Sequence, residues 1–174
     1  MYFLKIAIMD HWIIRVGDGE NFRNSKYPIW GLKKGNGSVE GIVKKIKRGD
    51  ILWFLTSKKY GGILIGMAKF IDYNNRKNEP LVNINTVSNK DQNWKGDEEW
   101  DIQIKYGNLY EIEKQEIKLC IQCSAIIMNY KNFKSKIDED LNMHYRNFLF
   151  YSKESARFTA YSYPDYRRPI ILRP

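Results

Sequence analysis

The order of elements legible in this chain predicts an α+β fold, a barrel or strongly curved sheet with flanking helices and a C-terminal helical and extended tail. Three observations predict it. One strand-like run and one amphipathic helix precede several consecutive strand-like runs, which suits antiparallel pairing better than alternating βαβ units. The glycine fingerprints of Rossmann and P-loop folds are missing. From residue 129 the pattern turns helical and then into extended chain interrupted by prolines.

Residues 11–17, HWIIRVG, are β-branched and aromatic and stop at glycine, as a first strand does. The following DGENFRNSKYPIW mixes Asp, Asn, Gly and Pro, and predicts a polar loop with room for one helical turn at 20–24. Ser38 then caps a short helix in which Val39, Ile42, Val43 and Ile46 recur at helical spacing, with lysines on the other face. KRGD turns the chain into ILWFLTS, residues 51–57. KKYGG links that run to ILIGMAKFID, and the two form an antiparallel hairpin.

Residues 73–99 are polar and turn-rich apart from LVNINTV, and predict a long excursion with at most one short strand. WDIQIKYGNLYEI alternates apolar and polar residues as a half-buried strand does, and EIKLCIQCSAIIM continues the sheet. Beyond it, Phe133, Ile137, Leu141 and Tyr145 stand at near-helical spacing, and SYPDYRRPIILRP is extended. The 174 residues read as a single domain: 1–123 as the barrel and 124–174 as an extension packed on it.

Composition bounds the function. Hydrophobic residues make up 43% and charged residues 28%, with five Trp, twelve Tyr and eight Phe, so the chain is globular rather than disordered. Lys and Arg number 29 against 20 Asp and Glu, and the formal charge of +9 favours polyanionic partners, although a solubilising surface accounts for it equally. Cys120 and Cys123 in CIQC make neither a disulfide framework nor a four-ligand metal site, and read as structural thiols in a reducing compartment. His11 and His144 are far apart in sequence, so no metal and no cofactor are expected. The opening MYFLKIAIMDHW has no basic leader or cleavage pattern, and no run reaches the ~20 apolar residues of a membrane span. The expectation is an intracellular chain, cytoplasmic or at the nucleoid or nucleus, without a membrane partner.

The succession HWIIRVGDGENF, YPIWGLKKGNG, SVEGIVKKIKRGD, ILWFLTS and GILIGMAKF resembles the PUA-like superfamily, in particular its EVE and YTH branches. The resemblance covers residues 10–71, with WDIQIKY continuing it. It implies a PUA-like curved β-barrel whose surface pocket takes a modified base flipped out of DNA or RNA, methylated adenine for YTH and modified cytosine for EVE. Carried onto this chain, Trp30 is a cage wall, Asn21 reads the base edge, and Arg15 and Val16 line the pocket beside Gly31. Trp94 is the second cage aromatic and Trp100 the runner-up. Gly31 and Leu55 stand where YTH-like sequences carry serines, which turns the expectation away from methyladenine.

Phosphates flanking such a base need cations. Lys33, Lys34, Lys58 and Lys59 lie on loops expected to neighbour the pocket, and Arg167 and Arg168 on the tail. Plainer readings stand beside these: Trp12 and Trp53 as core, Trp30 as a core plug, Trp94 as an exposed loop residue, the lysines as a solvated face. The leading expectation is a non-catalytic reader of nucleic acid. Two alternatives stay open: a nucleotide- or nucleic-acid-processing enzyme using Asp10 with His11, or Asp97 of DEEW, and a binder of free modified nucleotide.

Overall fold

The computed structural model describes residues 9–33, 35, 38–75, 87–113, 116–119, 125, 127–130, 139–158 and 170–171. Strand β1 (His11–Arg15) leads through α1 (Glu20–Asn24), β2 (Ile29–Leu32) and α2 (Ser38–Val43) into β3 (Ile51–Leu55). A 3-10 turn at Lys58–Tyr60 connects β3 to β4 (Ile63–Asn75), and β5 (Ile102–Glu111) follows the excursion. The short strands β6 (Ile117–Lys118) and β7 (Ile127–Asn129), helix α3 (Glu139–Phe158) and β8 (Ile170–Ile171) complete the order.

The strands form one mixed sheet in the order β2-β5-β4-β3-β1-β7, with β6 on β4 and β8 on β5. Most pairs are antiparallel, including the β3–β4 hairpin in which Ile51 faces Lys69. The β1–β3 pair is parallel, His11 facing Ile51. The sheet is therefore mixed, because the long connection through α1, β2 and α2 carries the chain back to start β3 beside the start of β1. Register breaks at Phe54/Leu55, Met67/Lys69 and Phe70/Asp72 bend the long strands, and give the sheet its curvature.

Alternation along the strands sends side chains to two cores. Trp12, Ile14, Leu52 and Phe54 join Phe22, Trp30, Val39, Val43 and Tyr106 on the face covered by α1, α2 and the excursion. Ile13, Ile51, Trp53 and Leu55 point the other way, where Leu141 and Phe148 of α3 cover them together with Tyr110 and Tyr130. Both faces are thus buried, which explains why ILWFL is an unbroken apolar run. Trp12 and Trp53 are core, at 4% and 0% exposure. The Trp12 indole donates to the buried Asp50 carboxylate at 2.9 Å, which also accepts from the backbone of Lys47 and Asp10.

Several elements differ from their sequence limits. The first strand ends at Arg15 because Gly17 adopts φ 64°. Helix α2 stops at Val43 and relaxes into tighter turns, in which Lys45 and Ile46 donate to Ile42 and Val43; Ile46 stays buried. The tail contributes β8, with Ile170 and Ile171 parallel to Tyr110 and Glu111. Phe133, Ile137, Cys120, Cys123 and most of LVNINTV lie outside the described residues. Among the described residues no helix is long and apolar enough to cross a membrane.

Candidate aromatic pocket

Trp30 sits in β2 opposite Ile104 of β5, and the excursion returns across it. The ring centroids of Trp30 and Trp94 are 4.9 Å apart, those of Trp30 and Trp100 6.4 Å, and those of Trp94 and Trp100 5.9 Å with the planes at 89°. Beside Trp94 and Trp100 opens a cavity of about 560 Å³, lined by residues 87–90, 94 and 96–100. Trp30 is 6% exposed, does not line this cavity, and packs edge-on against Phe22 on its inner side. Trp100, half-buried, lines this cavity together with Trp94, of which only 6% is exposed, and Trp30 is the core residue against which both rest.

Polar side chains hold these rings in place. The Trp94 indole N–H donates to Ser25 Oγ at 2.7 Å and the Trp100 N–H to Asn89 Oδ1 at 2.6 Å. Asn89 in turn donates to the Gly96 carbonyl at 2.8 Å. Gln92, fully buried, accepts from the Tyr27 amide and donates to the Ile29 carbonyl, which fixes the excursion to the entrance of β2. Gln103 of β5 pairs its amide with both backbone groups of Val87. Fixing indoles by hydrogen bonds to their polar edge leaves the ring faces to packing and to the cavity.

Asn21 does not face the cavity as an edge reader. Its amide accepts from the Lys95 N–H at 2.9 Å and donates to the Lys95 carbonyl at 3.3 Å, so both of its polar atoms hold the Trp94–Gly96 segment. The ion pair of Lys95 with Glu20, 2.7 Å, reinforces the same junction. Trp94 is not an exposed loop residue: at 6% exposure it joins the main core, because its polar neighbours turn outward or into hydrogen bonds.

Other expected site residues are placed elsewhere. Arg15 is buried in the β1–β3 seam and donates to the Thr56 carbonyl at 2.9 Å, and Val16 is core. Gly31 borders the pocket through its neighbour, since the Trp100 ring lies directly over its Cα. Lys58 and Lys59 sit in the turn before Ile63, whereas Trp100 precedes Ile102, which pairs with Asn75 at the far end of β4. These two lysines are not brought to the indoles. Lys34, Arg167 and Arg168 lie outside the described residues.

Lys33 does reach the pocket. Its ammonium stands 5.7 Å from the Trp100 ring centroid and 3.5 Å from the Glu98 carboxylate. Lys90, Asp97 and Glu99 complete the charged lining. Behind Lys90, Ser88 donates to Asp91 through both hydroxyl and amide, which holds the Asp91 carboxyl below its ordinary value.

Sequence reasoning passed over Ser25, Asn89, Lys90, Gln92 and Gln103. The available signal was the run Ser88-Asn89-Lys90-Asp91-Gln92-Asn93 directly before Trp94, side chains able to close a compact turn by local hydrogen bonds.

A second polar cluster lies under α3. The Trp53 indole donates to His11 Nδ1 at 3.0 Å, Tyr145 stacks on Trp53, and the Tyr110 hydroxyl meets His144 Nδ1 at 3.1 Å. Burial raises the Tyr145 and Tyr130 phenols above their ordinary value. His11 is therefore engaged in the packing of α3 against the sheet. Among the described residues no three His, Cys, Asp or Glu side chains gather as metal ligands.

No family model matches the chain, and no curated protein matches it. Among solved structures, that of a hypothetical protein from Leishmania major is similar at a TM-score of 0.42 and 12% identity, the match covering 86% of this chain and 98% of that one.

Proposed function

We propose that this chain is a PUA-like module of the EVE/YTH type that binds a single modified base of DNA or RNA without catalysing its conversion. The observation that supports it best is the cavity of about 560 Å³ walled by the indoles of Trp94 and Trp100. Its size falls in the range typical of small-molecule sites, roughly 300–1,000 Å³. A base stacked on one indole meets the edge of the other, since their planes are close to perpendicular.

The energetics are compatible. Extruding a base costs a few kcal/mol, and stacking on an aromatic side chain returns about 1–3 kcal/mol per base. Ser88 and Asn89 contribute polar side chains to the lining, and Lys90 in the lining and Lys33 over the Trp100 ring contribute cations. Asn21 acts here as a positioning residue for Trp94. The rings are held before any ligand arrives, which reduces the ordering cost of binding.

The test is a titration of oligonucleotides that are identical except for one modified base, followed by tryptophan fluorescence. A preference of about tenfold or more for one modification, reduced in Trp100→Phe, is expected. Equal affinity for all oligonucleotides removes the reading.

A further inference from the structure

We infer that the cavity selects a base whose ring carries a positive charge, the class formed when a ring nitrogen that bears no hydrogen, N1 of adenine, N7 of guanine or N3 of cytosine, is methylated. This rests on the base-binding reading above and narrows it. The cavity lining holds three carboxylates, Asp97, Glu98 and Glu99, against two ammonium groups, that of Lys90 in the lining and that of Lys33 on Glu98, which leaves an excess of negative charge. That sign is opposite to the chain as a whole, whose formal charge is +9. A neutral base flanked by phosphates brings only negative charge to this rim, whereas a ring cation offsets it.

The walls point the same way. Indole faces attract cations more strongly than other aromatic faces do. The protein already holds one cation in this arrangement: the Lys33 ammonium, 5.7 Å from the Trp100 centroid and 3.5 Å from Glu98, is bound by one wall and one rim carboxylate at once. A cationic ring in the cavity meets the same two groups and competes with Lys33 for them. A methylated lysine side chain has the matching charge, but its compact head leaves most of about 560 Å³ unfilled, and a nucleoside fills the cavity better.

The experiment compares two compounds with the same heavy atoms, N1-methyladenosine, protonated and so charged near neutral pH, and N6-methyladenosine, which is neutral, titrated into the full chain by calorimetry and tryptophan fluorescence. The charged isomer is expected to bind about tenfold more tightly. The double variant Asp97→Asn/Glu98→Gln is expected to bring the two within about twofold, and Lys33→Met to strengthen only the charged one, because it frees Glu98 and the Trp100 face. Equal binding, or tighter binding of the neutral isomer, overturns the inference and leaves the base-binding reading standing. Binding of neither isomer, together with no preference among modified oligonucleotides, removes both. Tighter binding of a trimethyllysine peptide than of either nucleoside overturns the inference in favour of a protein ligand.

Discussion

Trp100 packs directly against Gly31: a Cβ added at Gly31 would stand 2.3 Å from Cγ and 2.5 Å from Cδ2 of the indole. No side chain fits at position 31 while Trp100 keeps its place, so the absence of a serine there is a packing requirement of this pocket. Gly31→Ala is expected to expel the indole, to destabilise the fold by about 1–3 kcal/mol through overpacking, and to alter the Trp100 environment. Urea unfolding and the tryptophan emission spectrum check both effects. An unchanged spectrum contradicts the packing.

Gln92 is expected to matter more than its place in a polar loop suggests. Gln92→Leu leaves the Tyr27 amide and the Ile29 carbonyl without their buried partners, at about 1–3 kcal/mol. Hydrogen exchange of residues 87–99 accelerates in this variant if the amide pins the excursion. Asn21→Ala, at a half-buried position, costs about 1 kcal/mol or less.

The Trp94 indole and Ser25 are coupled across 69 positions of sequence. Ser25→Ala and Trp94→Phe each remove the same hydrogen bond, so their effects on stability are expected to be non-additive by about 0.5–1.5 kcal/mol in a double-mutant cycle. Additive losses would show that the bond is not formed in solution.

Acid is expected to loosen the excursion through Asp91. Its folded-state value is depressed by hydrogen bonds from Ser88, with Lys26 and Lys90 adding to it. A depressed carboxyl contributes stability that is complete above the unfolded value near 3.8, declines as pH falls below it, and is lost once pH passes the folded value. Unfolding measured across that acid window is expected to flatten in Asp91→Asn. An identical slope in both proteins rules the contribution out.

Among the described residues, Leu141, Tyr145 and Phe148 are large side chains of α3 that pack on the sheet. Phe148, 1% exposed, meets Tyr110 at a centroid distance of 6.4 Å. Phe148→Ala is expected to cost about 3–5 kcal/mol, with the loss appearing in the cooperative unfolding of the sheet. A separate, earlier transition for α3 alone would mean that the helix is an independent appendage.

The strands and α2 were legible because their signal is local: alternation in β5, the apolar runs of β3 and β4 around a glycine turn, and helical spacing from Val39 to Ile46. Trp12 and Trp53 were recognisable as core for the same reason. The parallel β1–β3 pair was not, since strand direction depends on the path of a connection rather than on the residues paired. Nor was the burial of Trp94, whose flanking asparagines, glutamine and lysine read as solvent-facing until their partners are seen.

By itself the sequence determined that this chain is an α+β domain rich in tryptophan and positive charge, with a long polar excursion between two strands. Only the tertiary structure decided which indoles wall a cavity, that Trp30 stands behind them, and that Asn21 and Gln92 hold the excursion. Periodicity reports which face of an element turns inward, and says nothing of which distant residue will meet it. The hydrogen bonds from Trp94 to Ser25 and from Gln92 to Ile29, and the packing of Trp100 on Gly31, join segments separated by more than sixty positions, while Asn89 and Gln103 hold the excursion over shorter spans.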